Sequence, residues 1–193
     1  MADRNTLEGL TTRLELLGIV PIVLLGSVMH FAFAWSDGWR PLAIVAAVNE
    51  SVWMHLKLAF WPALWALVVR RLAQPPVAAY WLAKALGLLA VPLTVVVLYY
   101  SYKALLDRNI LALDIGIFVV AVAVGQLTAA VLLGRLERRP AAWLHPLGTV
   151  LLLVQLLAYS LFTYLPPPLV LFEEERSGRY GIPPAAQPLD LHD

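Results

Sequence analysis

Five apolar stretches, set apart by short polar turns, restrict this chain to few folds: Leu16 to Trp35, Glu50 to Val69, Tyr80 to Tyr102, Ile110 to Leu133 and Trp143 to Leu165. Each is long enough to cross a hydrocarbon core of about 30 Å at about 1.5 Å per residue. Backbone groups inside lipid must find their hydrogen bonds within the segment, so runs of this kind form helices. The expected fold is an all-α, polytopic membrane helix bundle with five transmembrane helices. Composition agrees: 61% of the residues are hydrophobic and 14% charged, far from the mix of a soluble domain.

The segments between the spans divide the chain. Residues 1–15 alternate Asp3, Arg4, Glu8, Arg13 and Glu15 with Leu7, Leu10 and Leu14 at helical spacing. This predicts an amphipathic arm on the cytoplasmic membrane surface. Residues 16–166 form the transmembrane domain, and residues 167–193 a Pro-rich, extracytoplasmic and largely irregular tail. Ala32-Phe33-Ala34 has the look of a signal-peptidase site, but the apolar run is long and lacks a basic leader, so the first helix is expected to stay uncleaved. Pro41 to Arg71 is too long for one span and divides at Asn49-Glu50, where Asn49 is the expected N-cap of the second span. Leu42 to Val48 is then an interfacial helical turn or a shallow re-entrant piece. Gln74-Pro75-Pro76 marks the next turn, Pro62 and Pro92 are possible bends, and Pro166-Pro167-Pro168 ends the last span.

Lys and Arg in the short segments set the orientation. Arg4, Arg13, Arg70, Arg71, Arg135, Arg138 and Arg139 fall on one side of a five-span arrangement, against Arg40, Lys103 and Arg108 on the other. The N-terminus is expected in the cytoplasm and the C-terminus outside, in the cell membrane. The formal net charge of +1 offers no field for nucleic acid, so none is expected as a partner. The lipid bilayer is the expected partner, with other membrane subunits or a homo-oligomer beside it. With no cysteine, any metal must be held by His, carboxylates and other oxygens.

The densest polar stretch in the chain is Asn49-Glu50-Ser51-Val52-Trp53-Met54-His55-Leu56-Lys57. In the expected topology His30 sits near the outer end of the first span, this stretch at the outer end of the second, and Asp114 at that of the fourth. One helical face carries Glu50, Ser51, His55 and Lys57. Two imidazoles with Glu50 or Asp114 make a two-His, one-carboxylate set, able to hold a divalent metal, zinc as first choice, and to activate water. The assigned metal ligands are His30, His55 and Asp114; Glu50, Ser51 and Lys57 are the candidate catalytic residues, with Lys57 steadying developing negative charge. The same groups also suit a proton relay, a headgroup site, or plain helix ends in which Asn49 and Glu50 cap, Lys57 snorkels and carbonyls satisfy the imidazoles. Gln126 and Gln155 suit interhelical hydrogen bonds, Lys84 and His145 the cytoplasmic interface, and the Trp residues membrane anchoring. Glu173-Glu174-Glu175 reads as a solvated acidic patch, or as part of a tail folded back over the outer site.

The run from Asn49 to Lys57, preceded by His30-Phe31 and Trp35, resembles an uncharacterised family of small prokaryotic membrane proteins known only as a domain of unknown function. A Glu usually stands in that family where Met54 is here, and an acidic Pro-Gly-Tyr-Gly-like tail follows the last span, as Glu173 to Gly181 does in this chain. The resemblance covers most of the chain and implies a fold and a shared motif without an activity. Ser51-x-x-x-His55 is more faintly similar to the Ser/His helix motif of the CREST membrane hydrolases, with Asp114 in the place of their aspartate. That superfamily has seven spans and a late His-x-x-x-His pair, where this chain has five spans and His145 alone. The leading expectation is a membrane protein with an outward-facing polar pocket, working as a metal-dependent hydrolase on a lipid or amide. The alternatives are a non-enzymatic accessory subunit of a larger complex and a small transporter.

Overall fold

A computed structural model describes residues 4–73, 79–138 and 141–183. Five helices follow in order: α1 (Arg4–Trp35), α2 (Val52–Ala73), α3 (Tyr80–Leu106), α4 (Leu111–Glu137) and α5 (Leu144–Tyr164). Among the described residues there is no strand, and the chain is all-helical apart from its connections and tail. α1, α3, α4 and α5 are long and apolar enough to cross a membrane, and α2 carries a shorter apolar segment, Val52–Val68. The predicted turn at Gln74-Pro75-Pro76, the predicted loop position of Arg139 and the tail beyond Pro183 lie outside the described residues.

The helices fall close to their predicted places, with two differences. α1 runs without a break from Arg4 to Trp35, so no interruption at residue 15 separates an arm from a first span. α2 begins at Val52, two residues after the expected start. Asn49 is not the cap. Its side-chain oxygen accepts from the Ser51 amide at 3.0 Å, and the Ser51 hydroxyl and carbonyl then accept from the Met54 amide at 3.4 and 3.1 Å. Ser51 therefore caps α2 and Asn49 shapes the approach to it.

Small residues let the helices approach closely. A Cβ on Gly26 of α1 would stand 2.6 Å from the Leu58 carbonyl oxygen of α2, and one on Gly87 of α3 would stand 2.7 Å from that of Gly125 in α4. Such contacts are the usual means of association among helices whose side chains are uniformly apolar. α3 is the centre of the arrangement, lying against α4 and α5, while α1 lies against α4 and α2.

Between α1 and α2 the chain makes a 3-10 turn, Arg40–Ile44, and an irregular run to Ser51. Ala43, Ala46, Ala47 and Val48 of this connection are buried, and the Ala47 amide donates to the Met29 carbonyl of α1. The connection thus holds a short helical turn followed by non-helical backbone that is covered by protein on the side facing the bundle. Lys57 holds it there. Its amine, fully buried, donates to the Ala43 carbonyl at 2.7 Å and to the Thr163 hydroxyl of α5 at 3.1 Å.

Two Trp residues expected as anchors are core residues. Trp53 stacks on Tyr159 and Phe172, with centroids 4.8 and 4.6 Å apart, and Trp61 is buried beside Phe60, whereas Trp35, Trp39, Trp65 and Trp143 are exposed. Lys84 also departs from its interfacial expectation. It is buried and ion-paired with Glu15, itself buried on α1.

Candidate metal centre

The end of α1, the α1–α2 connection and the first turn of α2 bring His30, Glu50 and His55 together. The three offer ligand atoms that all lie within 4.8 Å of one another. Glu50 stands between the imidazoles, with Nε2 of His55 3.4 Å from its Oε2 and Nε2 of His30 3.9 Å from its Oε1. Ligand atoms around a tetrahedral ion with bonds of about 2.0–2.2 Å are roughly 3.3–3.6 Å apart, a spacing that the His55–Glu50 pair at 3.4 Å already has, whereas His30 must draw closer to the other two.

Each imidazole is oriented differently. His55 Nδ1 lies 2.9 Å from the Ser51 carbonyl oxygen, which can only accept, so Nδ1 carries the proton. In the neutral ring Nε2 then presents a lone pair towards the Glu50 carboxylate. Two acceptors facing each other are stable only with a proton or a cation between them. His30 has a buried Nδ1 with no partner and rests its ring against Phe31 and, edge-on, against His55 at 5.2 Å. Glu50, with an imidazole Nε2 on either side, is the carboxylate of the three, and binding an ion requires it ionised.

The tail folds over this end of the bundle. Phe172 sits in the aromatic group of Trp53 and Phe162, and a short reversal pairs Glu173 with Tyr180. Asn49 Nδ2 donates to the Gly181 carbonyl at 2.8 Å, and the Glu50 amide donates to Glu174 at 3.3 Å. Glu175 accepts from Lys103, from Tyr99 at 2.8 Å and from Asn109 at 2.8 Å. The acidic residues are therefore bound to the bundle, as the folded-back alternative required, and not simply solvated.

The remaining predicted site residues lie around the trio rather than in it. The Ser51 hydroxyl is buried in the cap of α2 and Lys57 points inward to Ala43 and Thr163, while Asp114, in the first turn of α4, accepts from the Tyr102 hydroxyl. Ring contacts and tail docking brought in residues the sequence reading had not singled out, Thr163 and Phe172 among them. Thr163 carried no signal; Phe172 was visible only as an apolar residue beside an acidic run.

The trio lies within a stretch matched by a family pattern described as a family of unknown function, DUF6512, over residues 6–182. The chain belongs to DUF6512. No curated protein and no solved structure matches it. Family membership agrees with the resemblance carried by the Asn49 to Lys57 run and the acidic tail; the similarity to CREST hydrolases is not shown by these comparisons.

Proposed function

We propose that this protein spans the cell membrane five times, with its N-terminus in the cytoplasm and residues 167–193 outside, and holds a single divalent metal ion between His30, Glu50 and His55. The observation that carries the reading is the convergence of three ligand atoms on one point, with one imidazole already fixed in the ligating tautomer by Ser51. Three protein ligands leave a fourth position for water, the pattern of catalytic rather than structural zinc. Zinc is the first choice, and iron is compatible with the same donor set.

The reaction this arrangement suits is hydrolysis of a lipid ester or amide. A divalent ion held by His30, Glu50 and His55 would lower the pKa of a water bound to it and polarise a carbonyl, which is the chemistry that cleavage of an ester C–O or amide C–N bond needs. Asp114, in the first turn of α4 with Tyr102 as its donor, is the candidate proton acceptor. Glu50 serves as a ligand, while Ser51 and Lys57 are positioning residues: one orients His55, the other fixes the connection that delivers Glu50. The half-exposed Glu50 leaves the trio open to a substrate arriving from the membrane face.

Elemental mass spectrometry on gently purified wild type and the His30→Ala/His55→Ala double variant tests the metal. About one ion per wild-type chain, lost in a variant that still folds, supports the proposal; no ion in either sinks it. A non-enzymatic accessory role is favoured by one observation, the tail clamped to Asn49, Glu50 and Lys103. In that case the double variant loses thermal stability or a co-purifying membrane subunit and no metal is found.

A further inference from the structure

The tail reaches two residues of the trio. Glu50 lies in the non-helical run between the 3-10 turn and α2, so no helix holds it, and its amide donates to Oε1 of Glu174 at 3.3 Å. His55 is reached in three steps. The Gly181 carbonyl accepts from Asn49 Nδ2 at 2.8 Å, Asn49 Oδ1 accepts from the Ser51 amide at 3.0 Å, and the Ser51 carbonyl accepts from His55 Nδ1 at 2.9 Å. Groups behind a metal ligand fix its orientation and with it the affinity of the site.

The tail is folded so as to present these two contacts. The Glu174 amide donates to the Arg179 carbonyl at 2.9 Å, its carbonyl accepts from the Gly178 amide at 2.8 Å, and its Oε2 accepts from the Ser177 hydroxyl, with Oε1 turned to Glu50. Gly181 has a φ of +70° and is buried, and a Cβ there would stand 3.2 Å from Pro166, just beyond α5. Phe172, packed on Trp53 and Phe162, pins the other end of the segment. Docking does not close the site: the Glu50 side chain stays 53% exposed and that of His55 37%. The tail therefore holds the trio in place without covering it. It also sets a second carboxylate against the Glu50 backbone, an arrangement that a divalent cation at the trio favours and an empty trio does not.

We propose that tail docking and ion binding are coupled, with Glu174 and Gly181 as positioning residues; this rests on the metal centre proposed above. The docked tail holds Glu50 and His55 ready for the ion, and the ion holds the tail down. Such coupling is reciprocal: the factor that docking adds to the affinity for the ion is the factor that the ion adds to docking.

Zinc alone serves as the probe, on the full chain in detergent at neutral pH. Competition with a chromophoric chelator measures zinc affinity in the wild type, Glu174→Ala and Glu174→Gln, and hydrogen exchange with and without zinc measures protection of residues 170–182. Affinity should fall about tenfold or more in Glu174→Ala and by less in Glu174→Gln, which keeps an acceptor for the Glu50 amide. Saturating zinc should slow exchange of the wild-type segment about tenfold and leave it unchanged in His30→Ala/His55→Ala. Equal zinc affinity in all three proteins, or zinc binding that leaves the wild-type segment unchanged, overturns the coupling while the metal centre stands. Slowing that persists in the double variant means that the tail carboxylates bind zinc themselves, and overturns it too. A wild type that takes up no zinc overturns the metal centre and the coupling together. The wild-type exchange measurement decides the matter even if Glu174→Ala fails to fold.

Discussion

The His55 imidazole donates from Nδ1 to the carbonyl oxygen of Ser51, one turn earlier, at 2.9 Å. That carbonyl lies where the backbone turns into α2, so the same cap that starts the helix also aims Nε2 at Glu50. Replacing Ser51 with Ala removes the hydroxyl that accepts from Met54, and the first turn should loosen at a cost of about 1 kcal/mol. Disturbing the group that orients a metal-binding His commonly weakens the metal by about 10–100-fold. Ser51→Ala should therefore show a lower unfolding temperature together with easier loss of metal to a chelator. Lower stability with unchanged chelator resistance would mean that the carbonyl stays in place without its side chain.

Lys57 should behave as a fastener. With its amine gone, the Ala43 carbonyl and the Thr163 hydroxyl lose a buried donor, although Thr163 still donates to the Tyr159 carbonyl. Leaving a buried acceptor unsatisfied costs about 1–3 kcal/mol, so Lys57→Met should lower stability by that amount. Amide exchange should rise across residues 40–48. Full stability with loss of hydrolysis would instead give Lys57 a chemical part.

The helices were legible because lipid-compatible segments must be long, apolar and internally hydrogen-bonded; the observed start of α3 at Tyr80 and end of α1 at Trp35 coincide with those read from apolar length alone. The trio was partly legible, since His30, Glu50 and His55 fall at one end of adjacent helices in any antiparallel arrangement. The cap was not. Asn49 and Ser51 are both good caps, and Asn49 is drawn away by Gly181, a contact 132 residues distant that no local pattern reveals. Lys84 was misjudged for a similar reason: its partner Glu15 sat in what read as a surface arm, and only the unbroken α1 carries that carboxylate inside. Asp114 shares an end of the bundle with the trio but is held by Tyr102, a pairing across the α3–α4 turn that apolar periodicity does not register.

Gly148 should be the least replaceable of the small residues. A Cβ there would stand 2.1 Å from the Leu82 amide nitrogen and 2.4 Å from the Trp81 carbonyl carbon, all main chain, so α5 must move away from α3. Overpacking of this kind costs about 1–3 kcal/mol or more, and Gly148→Ala should fall at or above the upper end. Gly116 and Gly134 have nothing within 4 Å of the added carbon, and their Ala variants should match or exceed the wild type by up to about 1 kcal/mol, the ordinary helix preference. Thermal unfolding of the three variants in one detergent tests the contrast. Equal effects would mean that α3 and α5 are not in contact at Gly148.

Docking of the tail should depend on pH through Glu175. Partial burial alone would raise its carboxyl value, but the hydrogen bonds from Lys103, Tyr99 and Asn109 outweigh this and hold it below the ordinary 4.5. A carboxyl depressed in the docked state and ordinary in the released one favours docking fully above about pH 4.5 and progressively less as the pH falls through the docked value. Acidification below 4.5 should therefore release residues 170–182 before the helices melt. Hydrogen exchange measured at successive pH values, corrected for its intrinsic pH dependence, should show protection of this segment falling in that window, with α3 and α4 unchanged. Glu175→Gln keeps an acceptor but loses the charge, so its tail should be less protected at neutral pH and its protection should lose most of the acid dependence. A variant as well protected as the wild type at neutral pH would show that Phe172 and the Asn49 to Gly181 contact hold the tail without the carboxylate.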